Sequence, residues 1–227
     1  MQTVLDQSLN TGMVFIENKL GHERFRSYMK AYGIGEKTGI DLPNETSGLI
    51  KNLESPRDIE YANASFGQGI ALTPIGATRA FSAIANGGNL ITPHFVKQIR
   101  YENGLSKIPE YPAVRTGVIK KETSETISRM LVHVFESYDQ GAHKFEHYSI
   151  ATKTGTAQVA QENGKGYYLD RHLHSFFGYF PAYDPKFLVF LFLKNPHEAK
   201  YASQTLIPPF VNLTKFLVNY YVVPPDR

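Results

Sequence analysis

The chain has 227 residues, 42% of them hydrophobic and 20% charged, with a formal net charge of +3 at neutral pH. These totals describe an ordinary globular chain able to bury a sizeable core, and the net charge is too small to argue for a nucleic-acid partner. With no cysteine there is no disulfide and no thiolate metal site.

Residues 1–32 read as helix, loop, helix, with Phe25, Tyr28, Met29 and Tyr32 at i, i+3, i+4, i+7 on one apolar face. Gly33 and Gly35 stop that helix. Residues 40–66 read mostly as loop, punctuated by Pro43, Gly48 and Pro56. Thr73 and Pro74 open a helix as N-cap and first helical residue; it carries Ile75, Phe81 and Ile84 inward and ends at Gly87-Gly88. Residues 90–119 read as a hairpin turning at Asn103-Gly104. A helix is predicted from about Lys121 to Tyr138, with the stripe Ile127, Met130, Leu131, Val134 and Phe135.

A strand over Ser149–Ala160 comes next, rich in β-branched residues. A polar segment, residues 161–166, leads to a second strand, Ser175–Phe180. A third, Phe187–Leu193, is almost continuously apolar and is predicted to be central. Pro208-Pro209 are predicted to start the last helix, with Phe210, Leu213, Leu217, Tyr220 and Tyr221 on one face. The short connections favour antiparallel pairing of the three strands. No repeat, low-complexity segment or linker divides the chain, so one domain over 1–227 is expected. No run approaches ~18 apolar residues, so no membrane span is expected. Residues 1–5 lack the basic region of a signal peptide.

The chemistry concentrates in Lys153-Thr154-Gly155-Thr156-Ala157-Gln158. A cation, a glycine and two hydroxyls in four residues make poor core filling and a good wall for an acyl-transfer site. On a strand Lys153 and Gly155 face one way, Thr154 and Thr156 the other. Gly155 removes side-chain bulk, so a substrate backbone can approach the strand edge. A free N–H at that edge can act as an oxyanion donor. A second Lys-Thr-Gly, at Lys37-Thr38-Gly39, lies in turn-like surroundings and is taken as a decoy.

The 153–158 string resembles the third active-site motif of penicillin-binding proteins and serine β-lactamases. Its Lys-Thr-Gly-Thr-Ala-Gln form is similar to that of class B penicillin-binding proteins, the monofunctional peptidoglycan D,D-transpeptidases. Further segments extend the resemblance over nearly the whole chain. Ser8-Leu9-Asn10 matches the family's Ser-x-Asn motif. Residues 33–43, with Glu45-Thr46-Ser47-Gly48, resemble the segment after this motif in division-type enzymes. Residues 66–74 match another class B stretch, and residues 174–181 with Lys194-Asn195-Pro196 match the family's endings. The rival reading of Gly67 and Gly69 as a phosphate cradle fails for want of a following Lys-Ser/Thr.

The resemblance implies a mixed α/β, β-lactamase/transpeptidase-like fold, a central antiparallel sheet flanked by helices. It implies that Ser8 relays a proton, that Asn10 hydrogen-bonds the substrate amide, and that Lys153 sets a positive potential and orients Ser8. Thr154 and Thr156 would bind the terminal carboxylate of a D-Ala-D-Ala stem or a β-lactam, with the Thr156 N–H as oxyanion donor. Gly155 and Gln158 complete the substrate-binding set. No metal or organic cofactor is implied. The implied partners are peptidoglycan stem peptides, β-lactams and membrane proteins of a division complex, with no nucleic acid. The implied place is outside the cytoplasm, with the parent held at the membrane by an N-terminal anchor. Asn rather than Asp at position 10 favours a division role.

One element of the family pattern is not matched. The nucleophile belongs to a Ser-x-x-Lys motif several tens of residues ahead of Ser-x-Asn, yet Ser8 has seven residues before it. The one Ser-x-x-Lys string, Ser27-Tyr28-Met29-Lys30, comes afterwards, and helical periodicity turns Ser27 toward solvent. The expectation is therefore a C-terminal portion of a transpeptidase domain without its N-terminal strands and nucleophile helix, inactive alone and marginally folded or aggregation-prone. The rivals are a β-lactamase or β-lactam sensor of the same superfamily and a non-catalytic binding module. His143 and His147, four apart, read as surface histidines rather than metal ligands. His174 is expected near the site, and Tyr167-Tyr168 either line the cleft or pack.

Overall fold

The computed structural model describes residues 1–111, 115–138, 145–162, 166–197 and 199–227. Three helices open the chain, α1 (Gln2–Asp6), α2 (Asn10–Leu20) and α3 (His22–Ala31). The break between α2 and α3 falls at Gly21, whose φ of 85° favours glycine. Phe25 and Met29 of α3 pack on a small core of Leu53, Tyr61 and Ala64, while Tyr32 packs on Leu90. Tyr28, expected on the same face, is exposed.

The segment 40–66 is irregular over most of its length, as expected, but it is not loop throughout. It holds a 3-10 turn (Lys51–Glu54) and a helix, α4 (Asp58–Ser65). Pro56 stands two residues ahead of α4, marking its entry rather than the middle of a loop. Tyr61 and Ala64, three apart, form its buried face. Helix α5 (Pro74–Ala85) begins as predicted, its Thr73 hydroxyl accepting the Gly76 N–H at 3.1 Å. The hairpin at Gly104 exists, but its strands β1 (Ile99–Arg100) and β2 (Ser106–Lys107) are two residues each. Helix α6 (Lys121–Ser137) matches its predicted stripe. It also buries Ser128, whose hydroxyl pairs with Tyr179 Oη at 2.7 Å.

The core sheet has the order β3-β4-β5, antiparallel throughout, from β3 (Ala151–Ala160), β4 (Tyr167–Phe180) and β5 (Phe187–Lys194). Strand β4 starts eight residues before the predicted Ser175, because ladder pairing carries it through a stretch with no apolar pattern. The central strand is β4, and β5 lies at an edge of the described sheet. The apolar run of β5 has another cause: both faces are covered over its first five residues, 187–191. Leu188 and Phe190 meet the cluster shared with α5 and α6, while Phe187, Val189 and Leu191 pack with α7 (Ala202–Tyr220) on the opposite face.

The sheet thus lies between α5 and α7, with α6 alongside β3. Phe81 of α5 stacks on Phe177 at 4.1 Å. Phe210 of α7 lies 4.6 Å from Phe176 between ring centroids. Helix α7 starts six residues before Pro208-Pro209, which sit inside it. Its first turn is set by Gln204, whose Oε1 accepts the N–H groups of Lys200 and Tyr201 at 3.1 and 3.0 Å. The prolines deprive the Gln204 and Thr205 carbonyls of helical partners, but both prolines are on the exposed side, where water can serve. Tyr220 and Tyr221, predicted to face inward, are exposed.

Candidate active site

The site forms where α1, the α1–α2 turn and the free edge of β3 meet. Helix α1 docks on α6 through Gln2, whose Nε2 donates to the Met130 carbonyl at 3.1 Å, and through Asp6, 3.2 Å from His133. The helix ends in a Schellman-type turn: the Leu9 N–H reaches the Val4 carbonyl at 3.0 Å and the Ser8 N–H the Leu5 carbonyl at 3.3 Å. Ser8 occupies the left-handed position of this turn, with φ 48°. A non-glycine residue there is strained, and such strain collects at functional sites. The turn directs the hydroxyl onto β3, where Ser8 Oγ accepts a short hydrogen bond from Lys153 Nζ across 145 residues of sequence.

Lys153 also donates to its neighbour's carbonyl, Thr154 O, at 2.9 Å. Burial lowers its pKa from 10.5 to about 8, because the ammonium is partly withdrawn from water and meets no carboxylate among the described residues. The Thr154 carbonyl, which accepts from Lys153, belongs to the edge of β3 that pairs with no described strand. Ladder alternation puts the Thr156 N–H, two residues on, at the same edge.

Thr154 and Thr156 point to the opposite face from Lys153, as the strand period requires. Tyr138, the residue that ends α6, donates from Oη to Thr154 Oγ1 at 3.3 Å. Thr156 Oγ1 accepts the Ala202 N–H at the start of α7, at 3.0 Å. Gly155 pairs with Ser175, and a Cβ on Gly155 would come within 2.6 Å of Ser175 Oγ. Its lack of a side chain therefore serves a neighbouring strand, a constraint that substrate approach alone does not reveal. Gln158 spends its amide on the Tyr168 carbonyl, 3.4 Å across the ladder. Asn10, the first residue of α2, is exposed and hydrogen-bonds no described residue.

His174 is opposite Thr156 in the register and fully buried. Burial holds its pKa below the ordinary value. Its Nε2 faces the Lys200 carbonyl at 3.2 Å and its Nδ1 the Thr205 hydroxyl at 2.8 Å. A carbonyl only accepts, so the neutral ring carries its proton on Nε2 and anchors the start of α7 behind the site. Tyr167 Oη accepts the Gly69 N–H at 2.8 Å, tying the 66–74 stretch to the far end of β4. Sequence reasoning left Tyr167 open between lining and packing, and it did not find Tyr138 or the Ala202 N–H, which carry no motif.

The second Lys-Thr-Gly has a different office. Thr38 is buried, and its N–H and hydroxyl each donate to Glu45 Oε1 at 2.6 Å, while the Gly39 N–H donates to Oε2 at 3.0 Å. Lys37-Thr38-Gly39 is a carboxylate-bound turn. Ser27 is on the exposed side of α3, as predicted. His143 lies outside the described residues, and no cluster of three metal-ligating side chains occurs among those described.

At this sheet edge a partly buried ammonium, a serine hydroxyl bound to it and two threonine hydroxyls on the opposite face form one polar cluster. Comparison with known proteins supplies the assignment. The family model "Penicillin binding protein transpeptidase domain" matches residues 1–212, and the chain belongs to that family. It is 37% identical over 211 residues to stage V sporulation protein D of Bacillus subtilis, covering 92% of this chain and 32% of that protein. It is 29% identical to penicillin-binding protein PbpB of Mycolicibacterium smegmatis, over 97% of this chain and 35% of that one. Among solved structures, penicillin-binding protein 3 of Mycobacterium tuberculosis complexed with aztreonam superposes with a TM-score of 0.90 at 26% identity, covering all of this chain and 52% of that one. The chain therefore spans about a third of the curated relatives it matches, and the mixed α/β fold with its antiparallel sheet is that of penicillin-binding transpeptidases. No helix among the described residues is long and apolar enough to cross a membrane.

Proposed function

We propose that this chain supplies the Lys153 side of a peptidoglycan D,D-transpeptidase site, working outside the cytoplasm on D-Ala-D-Ala stem peptides and blocked by β-lactams. The observation that carries this reading is the Lys153–Ser8 hydrogen bond, which joins two motifs 145 residues apart. Ser8 passes a proton between the attacking or leaving group and its surroundings. Lys153 supplies the positive potential and keeps the Ser8 hydroxyl aimed. Asn10 offers its exposed amide to the substrate's peptide groups. The Thr154 and Thr156 hydroxyls hold the terminal carboxylate, and the Thr156 N–H at the strand edge stabilises the oxyanion of the tetrahedral intermediate.

The nucleophile, in this reading, is a serine of a Ser-x-x-Lys motif that the whole protein carries upstream of residue 1, since the one such string within 1–227 is Ser27–Lys30 on α3. A membrane anchor and division-complex partners belong to the same whole protein. Intact-mass spectrometry after incubation with a penicillin tests the assignment. No adduct is expected on residues 1–227, and one adduct on the protein extended through its upstream Ser-x-x-Lys. An adduct on the 227-residue chain, or none on the extended protein, overturns it.

A further inference from the structure

Two hydroxyls on β3 share an arrangement that the motif does not specify. The Ala202 N–H can only donate, so Thr156 Oγ1 accepts from it and its own proton must point elsewhere. Tyr138 treats Thr154 the same way, Oη donating to Oγ1 at 3.3 Å. The phenol oxygen also stands close to the Thr154 N–H and the Thr152 hydroxyl. Burial keeps the Tyr138 pKa above its ordinary value, so the group remains a protonated donor. The ring is held edge-on to Phe135, 6.4 Å between centroids at 88°, and stands where α6 ends against the strand. Among the described residues, no other partner accepts from either threonine hydroxyl. Two residues along a strand separate these groups by about 7 Å, room for one carboxylate between them.

We propose that Tyr138 is a positioning residue for substrate recognition: by donating to Thr154 Oγ1 it commits the Thr154 proton to the terminal carboxylate of the stem peptide, as the Ala202 N–H does for Thr156. This rests on the transpeptidase reading and deepens it. Tyr138 acts through Thr154, and the quantity it sets is discrimination between a free carboxylate and its neutral analogue.

The test is binding of an N-acylated D-Ala-D-Ala peptide and of its C-terminal amide to the protein extended through its upstream Ser-x-x-Lys, by ligand-observed NMR. Wild type prefers the acid. Tyr138→Phe lowers that preference roughly three- to tenfold, as expected for a weakened hydrogen bond to a charged group, and leaves amide binding unchanged. Thr154→Val lowers it similarly, and the double variant resembles Thr154→Val alone. Thr154→Ser keeps the hydroxyl under the Tyr138 donor and retains the preference, whereas Tyr138→Leu loses it; this pair decides the matter should Tyr138→Phe fold poorly by circular dichroism. An unchanged ratio in Tyr138→Phe, equal losses for acid and amide, an additive double variant, or equal behaviour of the Thr154→Ser and Tyr138→Leu variants overturns the inference. A wild-type chain with no preference for the acid overturns the transpeptidase reading instead.

Discussion

At the scale of single residues, the site is built from groups held where they would not rest by themselves. Ser8 sits at a left-handed φ because the turn ending α1 must reverse the chain before α2, and the hydroxyl it presents there is the one Lys153 reaches. Lys153 is half-buried with no carboxylate beside it among the described residues, and its pKa falls to about 8. A lysine with a depressed folded-state value binds its proton less tightly than the unfolded chain does. Between about pH 8 and pH 10.5 the unfolded state therefore carries more protons, and stability rises with pH over that window. Attraction for a carboxylate runs the other way, fading as the ammonium deprotonates. The acid-over-amide preference should accordingly fall as pH passes about 8, while the thermal midpoint contribution from Lys153 rises. Binding ratios measured from about pH 7 to about pH 10 check this. A preference that stays flat over that range would show that Lys153 remains charged throughout.

At the scale of elements, helix α7 is placed on the sheet by a close approach. A Cβ at Gly178 would come within 2.5 Å of the Phe210 ring and 2.9 Å of Thr152 Cγ2. Neither neighbour has space to retreat, since Phe210 and Thr152 are fully buried. Gly178→Ala should cost about 1–3 kcal/mol, the usual range for overpacking a filled core. It should also weaken carboxylate recognition, because Ala202, at the start of the displaced helix, holds the Thr156 hydroxyl. Urea unfolding reads the first effect and the acid-over-amide ratio the second. A stability change under about 0.5 kcal/mol, the range of a surface substitution, would mean that α7 is not seated by this contact. The same element shows what local signals miss: Pro208-Pro209 look like a helix start, yet they lie mid-helix on the solvent side.

At the scale of the whole molecule, the described sheet ends at β5. Phe192 is 53% and Leu193 42% exposed along this strand, and no described strand pairs with its outer side. An unpaired apolar edge is a template for another chain. The 227-residue chain by itself should associate as concentration rises, and Leu193→Lys should reduce that association. Sedimentation velocity over a concentration series measures both. A monomer at every concentration, with a cooperative thermal transition, would show that the edge is protected.

The motifs, the helices with clear 3.6-residue patterns and the strand bearing Lys153 were legible in the sequence because local periodicity and residue chemistry set them. Backbone pairing carried β4 beyond its apolar stretch, and burial against α5 and α7 gave β5 its central-strand pattern at an edge position. The amino-acid sequence by itself determined which residues are candidates for the site: Ser8, Asn10, Lys153, Thr154 and Thr156 stand in short motifs that can be read one residue at a time. The tertiary structure decided how they meet. It brought Ser8 onto Lys153, drew the ammonium partly out of water, and set Tyr138 and the Ala202 N–H behind the two threonines. Residue type is a local property, whereas desolvation and hydrogen-bond direction depend on what distant segments deliver to the same few ångströms.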